Sequence, residues 1–440
     1  MTDQPDQSTI GNRPRAVRHP PLSIALLTGG SDKPYALGMA AALTSVGISV
    51  DFLGSDELDV AELHSLRQLR FLNLRGDQSP DVSLATKISR IATYYWRLIA
   101  YAATARPLIF HILWNNKFEV VDRILLMAYY RLLGKKIVLT AHNVNIRKRD
   151  NCDSFLNRAS LCVQYQLSDH ILVHTDRMKR ELVVDFAIPE NKVSVIPFGI
   201  NRTSPVTAMG THEAKGRLGI RDDDKTMLFF GQIAAYKGVE YLVAAFVELA
   251  KRDETYRLVI AGKVKKGQSQ YWNAIQRKIA TSEVRHRITE RIEYIPDDEV
   301  ELFFKGADVL ILPYLRIFQS GIPFLAYNFG LPVIATDVGS LREDIIDGRT
   351  GFVSRPEDAS DLARVIGQYF ESELFRNLET RRAEIKNYAD ERYSWDKVAA
   401  TSKALYSFLM SNVPVTSMAR RGLMPARSPA VTTRRVGGAG

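Results

Sequence analysis

Cysteine is nearly absent from the 440-residue sequence, which holds only Cys152 and Cys162, ten positions apart. Two thiols make no disulfide framework, and nothing stands near them at zinc-ligand spacing. A disulfide-stapled fold and a zinc module are therefore not expected, and a reducing compartment fits best. Long clean apolar runs are also missing. The most apolar early stretch, Ile91 to Leu113, is interrupted by Arg97 and Arg106, short of the ~20 residues that a membrane span needs. The first twenty residues are polar and proline-bearing without an apolar centre, unlike a secretory signal. Acid is absent from residues 411–440, where Arg420, Arg421, Arg427, Arg434 and Arg435 supply half of the net charge of +10. No Walker A pattern exists, and no Gly-x-Gly-x-x-Gly follows the first apolar run, which argues against a nucleotide triphosphatase or a dinucleotide enzyme. No helix-turn-helix, finger or aromatic RNA platform is visible, so nucleic acid is not an expected partner.

What is present is a repeated alternation. Single cores stop growing near ~250–300 residues, so this length favours two domains. Short apolar runs expected as strands are Leu22 to Thr28, Ser49 to Leu53, Pro107 to Leu113, Lys136 to Thr140, His170 to His174 and Lys192 to Ile196. Between them, Ala36 to Val46, Ile124 to Leu133 and Met178 to Asp185 read as helices. After a Gly-, Pro- and Thr-rich break at Pro197 to Arg221 the pattern restarts. Its expected strands are Thr226 to Phe230, Arg257 to Ala261, Ile292 to Ile295, Val309 to Leu312 and Val333 to Thr336. Helices are expected at Val239 to Lys251, Gln270 to Ala280 and Asp298 to Lys305. Continuous apolar strands alternating with helices signal a parallel sheet covered on both faces. The expected class is α/β, with two Rossmann-like domains facing a central cleft. The boundaries read as a tail at 1–20, domains at 21–200 and 201–390, a closing helix at 391–409 and a basic tail at 410–440. That last segment lacks apolar periodicity and reads either as a solvated tail or as an electrostatic tether to an anionic membrane surface.

In such sheets ligands sit at the carboxyl ends of strands. Gly231-Gln232-Ile233-Ala234-Ala235-Tyr236-Lys237-Gly238 follows a strand and opens a helix. It offers close backbone approach, helix-terminal N–H groups and the Lys237 cation to an anion, or else is a tight turn with a solvated lysine. Gln319-Ser320-Gly321-Ile322 follows Val309 to Pro313 in the same way. In the first half, Gly29-Gly30 would admit a phosphate or an acceptor, and His142 at the end of its strand would point to the cleft or serve structure alone. Asp222-Asp223-Asp224 precedes a strand and reads as a solvated turn. No metal site and no cofactor are expected.

The runs FFGQIAAYKGVEYL (Phe229 to Leu242), LVIAG (Leu258 to Gly262), ADVLILPY (Ala307 to Tyr314), FGLPVIATDVG (Phe329 to Gly339) and DGRTGFV (Asp347 to Val353) resemble the retaining GT-B glycosyltransferases of family 4. His142-Asn143, ILVHTDRM (Ile171 to Met178), KVSVIPFGIN (Lys192 to Asn201) and Tyr393-Ser394-Trp395 agree, so the resemblance covers roughly residues 22–409. It implies a second domain that binds a nucleotide-sugar donor and a first that binds a glycan or lipid-linked acceptor. Lys237 would neutralise the donor diphosphate, with Gly231 and Gln232 beside it. Gln319, Ser320, Gly321 and Ile322 would hold the diphosphate through backbone N–H groups, backbone at Ile295 and Pro296 would border the base, and His142 would touch the transferring sugar. Two departures stand out. Gln232 replaces the usual Arg, and Ile317 and Leu325 occupy the positions of two Glu eight residues apart. This Gln-Ser-Gly branch must hold the sugar and ribose differently. Alternatives are a catalytically silent scaffold of a polysaccharide assembly complex, or a nucleotide-sugar epimerase or hydrolase, which would need a carboxylate in the cleft. Tyr94-Tyr95-Trp96-Arg97 is either a core helix or, with the tail, a contact to the cytoplasmic membrane leaflet.

Overall fold

The structure is a computed structural model that describes residues 22–411 apart from 30, 31, 80, 146, 148–152 and 201–204. Gly30, Cys152 and both expected tails lie outside the described residues. Seven strands form one parallel sheet: β1 (Ser23–Leu27), β2 (Ser49–Gly54), β3 (Leu69–Asn73), β4 (Ile109–Ile112), β5 (Lys136–Thr140), β6 (His170–Val173) and β7 (Val193–Val195). Six form a second: β8 (Lys225–Phe230), β9 (Tyr256–Ala261), β10 (Ile288–Arg291), β11 (Val309–Leu312), β12 (Val333–Thr336) and β13 (Gly351–Ser354). The orders are β3-β2-β1-β4-β5-β6-β7 and β10-β9-β8-β11-β12-β13. In each sheet the order reverses beside its first strand, leaving a crevice between β1 and β4 and another between β8 and β11, where an open α/β sheet accepts ligands.

The central strands are buried on both faces, as at His170–Val173 and Val309–Leu312, which is why they read as continuous apolar runs. The principal helices are α1 (Lys33–Ser45), α2 (Leu84–Thr104), α3 (Phe155–Leu167), α4 (Asp176–Phe186), α5 (Val239–Arg252), α6 (Ile322–Asn328) and α7 (Trp395–Ser411). Asp32 caps α1, Ser83 caps α2 and Thr175 caps α4, each side chain accepting a backbone N–H of the first turn. The helix expected at Ile124 to Leu133 starts earlier, at Glu119, and passes through a π-turn at Asp122–Leu126.

Helix α7 packs on the first sheet. Trp395 Nε1 donates to the Ile200 carbonyl at 2.9 Å, Lys403 Nζ to the Val46 carbonyl at 2.6 Å, and the Tyr406 hydroxyl meets His111 Nδ1 at 2.6 Å. It starts later than residue 391 because a separate helix, Leu378–Arg392, ends at Tyr393. Two other expectations need correction. The strand placed at Ile292 to Ile295 lies at Ile288–Arg291, on the sheet edge, where Thr289, Glu290 and Arg291 follow a single buried Ile288. Ile295 instead plugs the core from the following loop. The Asp222-Asp223-Asp224 turn is solvated only in part, since Asp224 is buried against Arg221 and Arg257 at 3.0 and 3.1 Å.

Candidate active site

At the crevice of the first sheet, Gly29 follows β1 and abuts Trp114, which follows β4. Its φ is +61°, and a Cβ there would fall 2.3 Å from the Trp114 carbonyl oxygen, so no other residue fits without moving backbone. Trp114 stacks face to face on His142, with ring centroids 4.3 Å apart. His142 is buried and touches Tyr35 edge-on at 4.6 Å. Burial pushes its pKa well below the ordinary value, with His174 and His111 adding to the shift, so the ring is neutral. Burial likewise lowers His174 to about 4.

A tautomer assignment follows from the partners. His174 Nδ1 lies 3.3 Å from the Ile196 carbonyl, which can only accept, so that nitrogen carries the proton and Nε2 is bare. His174 Nε2 is 3.0 Å from His142 Nδ1, which must then be the donor. His142 Nε2 is left as a bare acceptor, buried and without a protein partner. A buried unpaired acceptor at a strand end is a feature that a ligand hydroxyl would satisfy.

At the crevice of the second sheet, Gly231 and Gln232 leave β8, and Gln232 is exposed. Lys237 is buried; its Nζ donates to the Tyr314 hydroxyl and lies 3.7 Å from the centre of that ring. Tyr314 leaves β11; burial raises its pKa, and the nearby Ser320 side chain acts against that rise. The Tyr314 hydroxyl thus stands between the cation of the β8 loop and the Gln-Ser-Gly loop. Among the described residues no acceptor takes up the Ser320 or Gly321 N–H, and Ile322 N–H has only a long bond, 3.4 Å, to Ser320 Oγ. The Gln319 side chain turns the other way: it accepts from Ser340 Oγ and donates to Asp344 at 3.4 Å. Burial raises the Asp344 pKa to about 7, and Tyr393 donates to it at 3.1 Å.

Phe198, on the crossing between the domains, lies between the two crevices. Its ring is 6.1 Å from His142 and stacked 5.3 Å from Phe324, and a Cβ on Gly321 would stand 3.4 Å from it. Farther along, Arg177 of α4 donates to the Gly339 carbonyl at 2.9 Å. A cleft of about 510 Å³ opens there, bordered by Arg177, Arg180, Arg316, Ile317 and Asp337. Ile317 thus faces the cleft, whereas Leu325 is buried in the core of the second domain. Among the described residues no group of three His, Cys, Asp or Glu converges.

Two family profiles tile the chain, "Glycosyltransferase Family 4" over residues 34–204 and "Glycosyl transferases group 1" over residues 211–392. The chain belongs to glycosyltransferase family 4. A D-inositol 3-phosphate glycosyltransferase of Corynebacterium aurimucosum is 25% identical over 87% of this chain and 92% of its own length. An uncharacterised glycosyltransferase of Methanocaldococcus jannaschii is 27% identical over 55% of this chain, and the match spans 61% of that protein. The Anabaena protein Alr3699/HepE in complex with UDP-glucose shares the fold, with a TM-score of 0.67, 12% identity, and coverage of 89% of this chain and all of that one. The architecture of this family 4 member is GT-B.

Sequence reasoning about this glycosyltransferase passes over Tyr314, His174, Phe198 and Asp344. Tyr314 is detectable as the second residue beyond β11, on the loop that faces Lys237 across the sheet reversal. Asp344 carries no local signal, because its burial depends on Tyr393, 49 positions away.

Proposed function

We propose that the protein is a retaining, metal-independent glycosyltransferase that moves a sugar from a nucleotide donor to a glycan or lipid-linked acceptor in surface polysaccharide or glycolipid synthesis. The observation that carries this reading is the Lys237–Tyr314–Ser320 cluster, which sets a cation beside unused N–H groups on one side of Phe198 while His142 waits on the other. Charge grows on the donor phosphate as the glycosidic bond breaks, and preorganised donors aimed at it lower the barrier without a divalent ion. Lys237 and the N–H groups of Ser320, Gly321 and Ile322 take that role. Neutral His142 accepts a hydroxyl of the transferring sugar at Nε2, and the departing phosphate removes the acceptor proton on the same face. Relatives support the donor class: the fold neighbour from Anabaena is known in complex with UDP-glucose. No helix among the described residues is long and apolar enough to cross a membrane. Contact with a lipid-borne acceptor falls instead to α2, where Leu84, Ile88 and Trp96 are exposed beside Lys87 and Arg97.

The test is transfer from UDP-, GDP- and ADP-sugars to an acceptor panel in EDTA, with product configuration read by NMR. Retained configuration and undiminished rate are expected. An inverted product, or activity restored only by manganese or magnesium, would overturn the mechanism. Donor binding without transfer would favour the silent scaffold.

A further inference from the structure

Asp344 ends a short turn, Leu341–Asp344, that follows β12, and its carboxylate is buried. Oδ2 accepts from Gln319 Nε2 at 3.4 Å, and Oδ1 accepts from the Tyr393 hydroxyl at 3.1 Å. Gln319 opens the Gln-Ser-Gly loop. Its Oε1 is taken by Ser340 Oγ, so the amide turns its donor nitrogen to Asp344. The same turn is in backbone contact with the loop: Ser340 N–H donates to the Phe318 carbonyl at 3.0 Å, and a Cβ on Gly339 would fall 2.0 Å from the Ile317 carbonyl oxygen. Tyr393 stands where the chain returns to the first domain. Its carbonyl accepts the Ile200 N–H at 3.1 Å, and the Ile200 carbonyl accepts Trp395 Nε1 of α7 at 2.9 Å. Phe324 of α6 lies 4.6 Å from the Tyr393 ring and 5.3 Å from Phe198, so the two crossings and the loop share one packing. From the first domain, Arg177 holds the Gly339 carbonyl at 2.9 Å.

Burying a carboxylate is costly unless donors reach it, and the two side chains that do so come from different parts of the machinery. We propose that Asp344 is a positioning residue that ties the Gln-Ser-Gly loop to the joint between the domains, so that the Ser320 and Gly321 N–H groups are aimed at the donor when that joint is seated. The proposal rests on the transferase reading and adds how donor binding is coupled to the domain arrangement. The charged form satisfies both donors, whereas an added proton on Oδ2 would face the Gln319 N–H and one on Oδ1 would turn Tyr393 into an acceptor. Burial sets this titration at about 7; Tyr393, Arg392 and Gln319 favour the charge and Glu343 opposes it. Arg392 Nε is 3.2 Å from the Tyr393 hydroxyl. Tyr327 of α6 donates to the Asp344 backbone carbonyl at 2.9 Å, and burial keeps that phenol neutral. On the outer side of the turn, Arg342 is paired with Asp347 at 2.7 Å. The tie is therefore set above about pH 7 and loosened below it.

The experiment uses the whole chain in two measurements. Hydrogen exchange of the segment 316–324, without ligand and at one pH near 8, should be at least roughly fivefold faster in Asp344→Asn and in Gln319→Leu than in the parent, and unchanged in Asp347→Asn. Calorimetry follows with UDP-glucose, GDP-mannose and ADP-glucose, whose diphosphates gain no proton between about pH 6 and 8. Whichever binds the parent should bind roughly three- to tenfold more weakly at about pH 6 than at about pH 8. Asp344→Asn should bind at the weaker level at both, and adding Gln319→Leu to it should weaken binding no further, since the two act through one contact. A merely structural Asp344 would lower Tm and leave that pH dependence in place. Unchanged exchange in both Asp344→Asn and Gln319→Leu, or a pH dependence of binding that persists in Asp344→Asn, overturns the proposal. If exchange quickens as expected while none of the three nucleotide-sugars binds, the donor reading fails and the tie between loop and joint stands.

Discussion

Tyr314→Phe deletes one oxygen from the centre of the second-domain crevice. The hydroxyl holds Lys237 Nζ and stands near Ser320, and the tyrosine is fully buried. A hydrogen bond to a charged group contributes about 1.5–3 kcal/mol, whereas the cation–ring contact at 3.7 Å survives the change. Stability should fall by about 2 kcal/mol, a shift of roughly 4–8 °C in Tm for a domain of this size. Turnover should fall further than stability explains. The hydroxyl sets the β8 loop against the Gln-Ser-Gly loop, and misplacement by about an ångström costs up to ~100-fold. A decrease of roughly 10–100-fold in kcat/KM is expected, with the fold intact by circular dichroism. Tyr369→Phe is the control: that hydroxyl is equally buried and donates to the Asp308 carbonyl at 2.5 Å, away from the loops. It should lose comparable stability and keep its turnover. If Tyr314→Phe keeps kcat/KM within twofold of the parent, or both variants lose it equally, Tyr314 is structural only.

Acid should destabilise the fold. His111, His142 and His174 are buried with pKa values depressed by desolvation, to about 3 for His111 and about 4 for His174, so the unfolded chain takes up protons first as pH falls below about 6.5. Each costs up to about 1.4 kcal/mol per pH unit, and Asp344, raised to about 7, offsets one of them because the folded chain protonates it first. Urea unfolding should show a loss of roughly 2 kcal/mol between about pH 6.5 and 5.5; a flat profile, or a gain, contradicts the neutral assignment. Trp395→Ala should cost about 3 kcal/mol, because the indole fills the space against Gly38 and Gly199 and holds the Ile200 carbonyl; an unchanged Tm counts against that role. Ile88→Glu/Trp96→Glu should weaken cosedimentation with anionic vesicles without altering transfer to a water-soluble acceptor, and equal cosedimentation would remove α2 from the membrane contact.

The fold is most legible in the sequence where burial is complete. Lys136–Thr140, Val309–Leu312 and Val333–Thr336 are central strands, and their limits match the apolar runs. Among the strands, what escapes sequence reasoning lies at sheet edges, and the helices Phe155–Leu167 and Ala359–Glu371 also go unrecognised. β3 and β13 go unrecognised and β10 is displaced by four residues, since an edge strand such as Leu69–Asn73 is only partly buried and carries the exposed polar residues Arg70 and Asn73, which break the continuous apolar run of a central strand. The candidate site divides in the same manner. His142, Lys237 and the Gln-Ser-Gly loop are legible because strand ends mark them locally. Tyr314 and His174 gain their roles only through partners 77 and 32 positions away, and Gln319 is turned from the loop toward Ser340 and Asp344.

The central claim is that the β8 and β11 loops together hold a nucleotide diphosphate. Calorimetry of UDP, GDP and ADP against the parent and Lys237→Ala tests it most directly. One of the three nucleotides should bind the parent without added metal, and losing the cation should weaken it on the order of 10–100-fold, with both proteins equally folded. Binding of none of the three, or equal affinity in the two proteins, would contradict the account.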